Sequence, residues 1–247
     1  MKRMVLVISD KGGTGKSTFS RAYGDWLRRH VKDAFLQDAD GGVGQLLQFI
    51  GQRGKDSRLN IEQNGLIGVR YFSIFEARQR DAIVDGIDGG ATRVLIDMPA
   101  GTVALLAEIN GEIGLFDLAK RQGYGVTIVN VITPMLASVR TVGTILDAFG
   151  EQPEIGFVVV KNAFFGPESD DWKIYNESRG RIDLLERGGL ELTMQPMRML
   201  TFSQVDYHSL GFTAATVDAR LKTADRSVAF RWLQQMDREI ELAGGLL

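Results

Sequence analysis

Residues 11–18 combine three glycines and two lysines in eight positions, and this run constrains the fold more than any other part of the chain. A short apolar segment, residues 4–8, precedes it, and Phe19, Ala22, Tyr23 and Trp26 follow it at helical spacing. A strand, a glycine-rich turn and a helix start in this order let backbone N–H groups and the helix dipole converge on an anion. The run therefore predicts a phosphate-binding loop.

The residue types inside the loop match the chemistry of a bound polyphosphate. Backbone N–H groups would face the anion at Gly12, Gly13, Thr14 and Gly15. The Lys16 ammonium would reach the outer phosphates, and the Ser17 hydroxyl would be a ligand of Mg²⁺. The strict loop pattern begins with glycine where this chain has Asp10, so only a variant pattern with a second lysine, Lys11, fits fully.

Composition limits the remaining function classes. The chain has 247 residues, a formal net charge of −2 and no cysteine. Disulfides, thiolate metal sites and cysteine nucleophiles are therefore excluded, and His30 and His208 are more typical of surface or packing residues than of ligands. The near-neutral charge gives no general attraction to nucleic acid or to an anionic membrane. No secretion signal and no membrane-spanning stretch is visible, so we expect a cytoplasmic protein.

Apolar runs of strand length alternate with helical patterns along the chain. The runs cover residues 4–8, 34–36, 69–72, 94–96, 126–132, 155–160 and 190–194. The helical patterns are clearest at residues 102–122 and 134–149, whereas residues 51–68 are polar and irregular. This alternation predicts an α/β fold with a mostly parallel central sheet of about seven or eight strands, flanked by helices, in a single domain over residues 1–247.

Aspartates follow two of these strands, at the edge where parallel sheets hold their ligands. Asp38 and Asp40 come after the second run, and Asp97 comes directly after the fourth. Asp97 is placed to hold a water on Mg²⁺, Asp40 to orient an attacking water, and Asp38 to support the loop or the metal's outer ligands. Each of the three can instead be a helix cap or a turn residue.

Together these motifs resemble the MinD/ParA family. The loop with its leading lysine, the Asp-x-Asp after the second strand and the Asp-x-Pro-x-Gly after the fourth look like those of the deviant Walker A ATPases, also grouped as the CobQ/CobB/MinD/ParA nucleotide-binding domain. The resemblance covers the chain from residue 4 to about residue 200. It implies the three-layer fold of P-loop NTPases, with Mg²⁺ and ATP or ADP as ligands.

The resemblance also implies roles for individual residues. Lys11 would cross a dimer interface to the partner's nucleotide, while Lys16 would bind the β- and γ-phosphates of its own. Thr18 would contact the α-phosphate. Asp40 would position the hydrolytic water, and Asp97 would support the magnesium.

Two further positions resemble the family's base-contacting residues. Asn162 ends the sixth strand, and its amide can donate to N7 of adenine and accept from the exocyclic amine. Pro196 lies in a segment after the last strand that resembles the second loop flanking adenine. No Asn/Thr-Lys-x-Asp motif of the guanine-reading kind is present, so ATP is favoured over GTP. Asn162 can alternatively be a turn residue.

Three helical segments carry more specific expectations. Thr133 would cap the helix that follows it, and Met135 would face the core. Residues 163–189 predict a helix capped by Ser169, which either lies beside the nucleotide or only packs on the protein. In the C-terminal segment Phe230 belongs to an apolar side, and arginines alternate with acids. A helix packed on the sheet is therefore favoured over a membrane-surface helix, and DNA stays open only as a weakly supported partner.

Several functions remain open at this point. The first is a slow ATPase that acts as a dimerisation switch in partitioning, positioning, conjugation or secretion of a cargo, with a protein partner that stimulates hydrolysis. The second is a metabolic ATP-dependent amidase or ligase, for which the sequence shows no obvious substrate clamp. A pseudo-enzyme is a third, because the Asp10 carboxylate would repel phosphate. A metal-cluster carrier lacks the cysteines it needs. Lys11 favours the switch and, with it, a homodimer in the ATP state.

Overall fold

A computed structural model describes residues 2–152 and 154–247 of the chain, so the predicted domain over residues 1–247 extends beyond them at Met1 and Pro153. The strands in these residues are β1 (Lys2–Ile8), β2 (Ala34–Asp38), β3 (Arg70–Tyr71), β4 (Arg93–Asp97), β5 (Tyr124–Ile132), β6 (Ile155–Asn162) and β7 (Leu190–Met194). They form one sheet in the order β3-β2-β4-β1-β5-β6-β7, and every pairing is parallel. The predicted seven runs are confirmed as strands.

Helices connect the strands and cover both faces of the sheet. Those in the described residues are α1 (Lys16–His30), α2 (Gln45–Ile50), α3 (Asp85–Asp88), α4 (Val103–Ile113), α5 (Leu115–Arg121), α6 (Leu136–Phe149), α7 (Lys173–Asn176), α8 (Arg179–Glu186), α9 (Met199–Tyr207), α10 (Phe212–Ala215) and α11 (Thr223–Leu242). Short 3₁₀ turns lie at Gly41–Val43, Ala77–Val84, Ser169–Trp172 and Gly244–Leu246. As predicted, residues 51–68 contain neither a helix nor a strand.

Alternate residues of the central strand β1 pack into two separate cores. Met4, Leu6 and Ile8 belong to a cluster with α4 and α6, whereas Val5 and Val7 belong to a cluster with α1 and α11. All five side chains are fully buried, because a parallel sheet covered on both faces leaves no side for solvent. The predicted three-layer α/β architecture is confirmed.

The strand order fixes where a ligand can bind. Strand β1 lies between β4 and β5, and the chain leaves it first toward β2 on one side and later toward β5 on the other. In open parallel sheets the crevice outside the carboxyl ends of the strands at such a reversal is the usual ligand site. The loop of residues 9–15, between β1 and α1, begins at this point.

Two predicted helices have different boundaries in the structure. The helix predicted at residues 102–122 is two helices, α4 and α5, because Gly114 between them adopts φ 61°, which a continuous helix does not allow. Helix α6 begins at Leu136 rather than at Pro134, and Met135 is its N-cap and 63% exposed. The predictions that Thr133 caps this helix and that Met135 faces the core are wrong. Thr133 lies outside the helix, and its backbone N–H donates to the Ser138 hydroxyl at 2.9 Å.

The predicted helix at residues 163–189 is also broken. It consists of the turn Ser169–Trp172 and the helices α7 and α8, and its first turn is capped by Glu168 rather than by Ser169. Trp172 is buried in the core with α6, and its indole N–H donates to the Gly166 carbonyl at 2.8 Å. The helical part of this segment therefore packs against the protein, and a role beside the nucleotide stays a prediction.

The C-terminal helix α11 packs on the sheet, as predicted, through Trp232, Leu233 and Met236. Phe230 is 51% exposed, so its assignment to the packed side is wrong. The acids of α11 largely turn inward. The Asp237 carboxylate accepts two hydrogen bonds from the guanidinium of Arg29, whereas Glu241 lies at the surface.

The other two acids of α11 also accept hydrogen bonds from the protein. A Glu239 carboxylate oxygen accepts from the Thr193 backbone N–H at 2.7 Å, and Asp225 accepts from the Arg198 guanidinium at 2.5 Å. The outer face of α11 thus exposes Arg231 and Arg238 with fewer acids between them than the sequence pattern indicates. None of the helices in residues 2–152 and 154–247 is long and apolar enough to cross a membrane.

Candidate functional site

Two glycines shape the predicted phosphate loop. Gly13 and Gly15 adopt φ values of 73° and 99°, in the left-handed region that other residues rarely enter. A Cβ atom at Gly15 would lie 2.4 Å from Nδ2 of Asn162, so this position has no room for a side chain. At Gly12 the nearest atom to such a Cβ would be 3.9 Å away, so the loop needs glycine there less.

Lys16 is buried at the base of this loop. Its ammonium donates to the Lys11 carbonyl at 3.5 Å. Burial lowers the pKa of Lys16, because the charged form loses its hydration, and the negative charges of Asp97, Asp40 and Asp10 oppose that shift. A cation held this way is positioned for an anion in the loop. Lys11 itself is exposed.

Asp38 and Asp97 lie side by side, because they are the last residues of the neighbouring strands β2 and β4 and are paired in register. The hydroxyl of Ser20 donates to Oδ1 of Asp97 at 2.8 Å, and the Ser20 and Ser17 hydroxyls both act to lower the pKa of Asp97. Burial raises the pKa of Asp97, and burial followed by the charge of Asp97 raises the pKa of Asp38. Both acids are thus harder to ionise than a surface aspartate.

Asp38 also organises the loop that follows it. Its two carboxylate oxygens accept from the backbone N–H groups of Asp40 at 3.1 Å and Leu47 at 3.0 Å. Asp40 is exposed at the mouth of the site, and its backbone forms an isolated antiparallel β-bridge with Ser73. Its charge is close enough to affect the pKa values of Lys16 and Asp97. The structure therefore brings all three predicted acids to one edge of the sheet.

Asp10 has a role that the sequence did not reveal. Its Oδ1 accepts from the Val103 backbone N–H at 3.1 Å and so caps helix α4 from the other side of the loop. The neighbouring Gly101, at φ 77°, donates its N–H to the Ser9 carbonyl at 3.3 Å. The phosphate loop and the start of α4 are thus joined by hydrogen bonds at both residues.

A largely apolar cavity of about 180 Å³ opens beside the loop. Its lining comes from the phosphate loop, the ends of β6 and β7, α9 and α11: Gly13, Gly15, Thr18, Asn162, Phe164, Phe165, Met194, Gln195, Pro196, Met197, Met199, Phe202 and Trp232. Asn162 and Pro196, the predicted base-contacting residues, both line it. The Asn162 Nδ2 donates to the Thr14 carbonyl at 2.9 Å and its Oδ1 accepts from the Phe164 N–H at 3.2 Å. Asn162 therefore also ties the cavity to the phosphate loop.

Sequence reasoning missed several residues at this site. Ser20 lies one helical turn after Ser17, so the spacing of α1 offered a signal that both hydroxyls face the same strand end. Phe164 and Phe165 lie two and three residues after the end of β6, and aromatic residues close to a strand end are a weaker signal of the same kind. The participation of Trp232 carried no local signal, because its spacing in α11 is that of an ordinary packing residue.

The residues present fit a magnesium-bound polyphosphate. The buried Thr14 hydroxyl has no hydrogen-bond partner; it lies between the left-handed glycines Gly13 and Gly15, and the buried Lys16 follows directly in the chain. The Ser17 hydroxyl and the carboxylates of Asp97 and Asp38 are oxygen ligands of the kind that Mg²⁺ prefers. Within the described residues no group of three or more His, Cys, Asp or Glu side chains could hold a metal ion on its own.

Comparison with solved structures finds the same architecture. MinD from Pyrococcus horikoshii OT3, in complex with Mg-ADP, superposes with a TM-score of 0.57 at 14% identity, over 100% of this chain and 99% of that one. Apo McdA from Cyanothece gives 0.58 at 11% identity, over 99% and 100%. A ParA family ATPase from Chlorobium tepidum TLS gives 0.56 at 15% identity, over 94% and 98%.

The chain has a MinD/ParA-type P-loop fold. By sequence, no family model and no curated protein matches it. At identities this low the shared fold is what the likeness establishes. The roles expected of Lys11, Lys16 and the other predicted site residues stay predictions, while their assembly at one edge of a MinD/ParA-type sheet is observed.

Proposed function

We propose that this chain binds ATP with Mg²⁺, hydrolyses it slowly to ADP and phosphate, and uses the nucleotide state to switch between a monomer and a face-to-face homodimer. The observation that carries the proposal is the contrast between the two lysines of the loop. Lys16 is buried among carboxylates, in position for a phosphate of its own chain, whereas Lys11 is exposed beside it. Lys11 is therefore free to reach a nucleotide held by a second copy.

The ligand assignment rests on the loop and on the fold. MinD of P. horikoshii is in complex with Mg-ADP, and an McdA variant of Cyanothece, which matches over 95% of this chain with a TM-score of 0.52, is in complex with ATP. In this chain Lys16 and Thr18 would bind phosphates, with Ser17, Asp97 and Asp38 around the magnesium. The metal would neutralise charge on the phosphate oxygens. Asn162 and Pro196 would contact the adenine.

Slow hydrolysis follows from the chemistry of the available groups. Asp40, exposed at the mouth of the site, would orient the attacking water through its carboxylate. The raised pKa values of Asp38 and Asp97 reflect burial and the charges of neighbouring aspartates; Asp97 accepts from Ser20, and Asp38 accepts from backbone N–H groups. Completion of the site by Lys11 of a second copy, and stimulation by a protein partner, would then control turnover.

The partner and the process can be proposed only by their general kind. MinD of Aquifex aeolicus forms a complex with MinC, and that complex matches over 99% of this chain at a TM-score of 0.52. By analogy we infer a protein partner and a role in positioning or partitioning a cargo, with the whole chain, residues 1–247, as one nucleotide-binding domain. DNA remains a candidate cargo, because the acids of α11 turn inward and leave Arg231 and Arg238 exposed.

The decisive experiment measures the mass of the Asp40→Ala variant by light scattering, first with ATP and Mg²⁺ and then with ADP. The substitution should slow hydrolysis, so an ATP state persists during the measurement. We expect a dimer with ATP and a monomer with ADP. The matched variant Asp40→Ala/Lys11→Ala should bind ATP and remain a monomer.

A different result would redirect the proposal. If the Asp40→Ala variant binds ATP but stays a monomer in both states, the dimerisation switch is wrong. A small-molecule ATP-dependent amidase or ligase would then be the better hypothesis, to be tested with carboxylate substrates. If Lys11→Ala removes ATP binding from the monomer, the role of Lys11 across an interface is wrong.

A further inference from the structure

The apolar cavity beside the phosphate loop, which is the proposed base side of the site, depends on a helix that is far from it in sequence. The segment of residues 195–198 connects β7 to α9, and it contributes Gln195, Pro196 and Met197 to the lining of the cavity. Such a segment has no regular structure of its own to hold its shape. Its shape must therefore come from the contacts that it makes with neighbouring elements.

Helix α11 contacts this segment at both ends. At the first end, the indole N–H of Trp232 donates to the Gln195 carbonyl at 2.6 Å. At the other end, the Arg198 guanidinium donates to Oδ1 of Asp225 at 2.5 Å, and the Thr201 hydroxyl donates to the same oxygen at 2.7 Å. The segment is thus held between two fixed points on one helix.

Trp232 does more than hold the segment, because its ring is itself part of the cavity wall. The side chain is 3% exposed, and its ring centroid lies 4.5 Å from that of Phe212 in α10. A tryptophan fixed on one side by a buried aromatic ring and on the other by a hydrogen bond has little rotational freedom. The wall that it forms is therefore rigid before any ligand binds.

We propose that Trp232 is a positioning residue for the nucleoside part of the ligand: it sets the Gln195–Arg198 segment and forms part of the cavity wall. This inference rests on the proposed function, because it assumes that the cavity receives the base. The hydrogen bond involves no residue of the phosphate loop, so the effect of Trp232 is confined to the base. The affinity for ligands that consist of phosphates alone should not depend on Trp232.

The test compares two ligands, ADP with Mg²⁺ and inorganic tripolyphosphate with Mg²⁺, by calorimetric titration. The variant Trp232→Phe removes the N–H and keeps most of the ring. We expect its Kd for ADP to rise about tenfold, as for the loss of one buried hydrogen bond, with the Kd for tripolyphosphate unchanged. The control is Trp26→Phe, a change in α1 outside the cavity, which should alter neither constant.

The outcomes separate this inference from the proposed function. If the wild-type protein binds neither ligand, both are wrong. If it binds both ligands and Trp232→Phe weakens both equally, or weakens neither, the role of Trp232 is overturned while the nucleotide site stands. Thermal unfolding of each variant identifies a general loss of structure, which would weaken the binding of both ligands together.

A second measurement does not depend on the folding of a variant at position 232. With 5-fluorotryptophan incorporated, the protein gives one ¹⁹F resonance each for Trp26, Trp172 and Trp232, which single Trp→Phe variants at positions 26 and 172 assign by elimination. ADP should shift the Trp232 resonance, and tripolyphosphate should leave it in place. A Trp232 resonance that ignores ADP, or that responds to both ligands alike, overturns the inference.

Discussion

The proposed phosphate side and base side of the site differ in charge. On the phosphate side a buried lysine, Lys16, is surrounded by the charges of Asp97, Asp40 and Asp10. On the base side, the described residues that line the cavity include polar side chains, such as those of Asn162 and Gln195, but no charged one. In the proposed nucleotide site, the first side would select its ligand by charge and by backbone geometry. The second would select by shape and apolar contact, which tolerates more variation.

This difference gives a general expectation for variants. A change on the phosphate side should alter the affinity for every phosphate ligand, with or without a base. A change on the base side should alter the affinity for nucleotides only. Asn162 is the exception that joins the two sides, because its amide donates to the Thr14 carbonyl of the phosphate loop while it lines the cavity.

The largest effect should come from the loop glycines. Gly15→Ala places a Cβ 2.4 Å from Nδ2 of Asn162 in a backbone with φ 99°, so the loop must change shape. We expect about a 100-fold loss of affinity for both ADP and tripolyphosphate by calorimetry, since a few kcal/mol of strain corresponds to that factor. Gly12→Ala is the matched control and should bind both within about threefold of wild type. Equal losses in the two variants would contradict the assigned loop geometry.

Charge also makes the phosphate side sensitive to pH. The pKa values of Asp38 and Asp97 are raised by burial, so the folded protein binds more protons than the unfolded chain above the usual aspartate pKa of about 3.9. Its free energy of unfolding should therefore fall as pH rises from about 4 toward neutrality, because folding then requires ionisation of buried acids. We expect a contribution of about 1 to 2 kcal/mol.

Magnesium should oppose this pH dependence, because a cation favours the ionised carboxylates. The measurement is the melting temperature from pH 5 to 8 with and without Mg²⁺, in wild type and in Asp38→Asn. The variant should show a smaller decrease in stability across this range. A melting temperature that rises with pH in the absence of Mg²⁺, and equally in both proteins, would show that other groups dominate.

The smaller effect on the base side can be measured with an aromatic residue. Phe164 lines the cavity and is 44% exposed, so Phe164→Ala should remove stacking area without disturbing the core. We expect about a fivefold weaker Kd for ADP, as for the loss of one aromatic contact, and no change for tripolyphosphate. Phe230→Ala, at an exposed phenylalanine of α11 outside the cavity, is the control. A loss of tripolyphosphate affinity in Phe164→Ala would show that the two sides are not separable.

The same contrast explains how much could be predicted from sequence. The phosphate loop is contiguous, and Asp38 and Asp97 end buried strands, so local pattern was enough to bring them to one edge of the sheet. The base side joins residues near positions 15, 162, 195 and 232, and no local spacing indicates that they meet. Only the resemblance to a known family pointed to Asn162 and Pro196, and nothing pointed to Trp232.

The errors in the helices have a related physical cause. Apolar periodicity continues across Gly114 and back to Met135, so it indicates longer helices than the backbone allows. The periodicity reports which side chains are apolar, whereas the ends are decided by φ angles and by capping hydrogen bonds. The turn at Ser169–Trp172 shows the same point, because its cap is Glu168, paired reciprocally with Asp171.

The smallest predicted effect concerns Asp10, where charge and hydrogen bonding can be separated. Asp10→Asn keeps an oxygen that can accept from the Val103 N–H but removes a negative charge that acts on Lys16. Since Asp10 is exposed and its charge is screened, we expect only about a twofold tighter Kd for both ADP and tripolyphosphate. Asp10→Ala also loses the cap of α4 and should lower stability by about 1 kcal/mol.

The comparison of these two variants by calorimetry and thermal unfolding decides what Asp10 does. Tighter binding in both, with lower stability only in Asp10→Ala, means that the carboxylate is retained for its hydrogen bond to α4 at a small cost in ligand affinity. Weaker binding in Asp10→Asn would contradict this, because it would mean that the charge itself holds Lys16 in a binding position. In that case the phosphate side depends on its full set of carboxylates, and its contrast with the uncharged base side is stronger still.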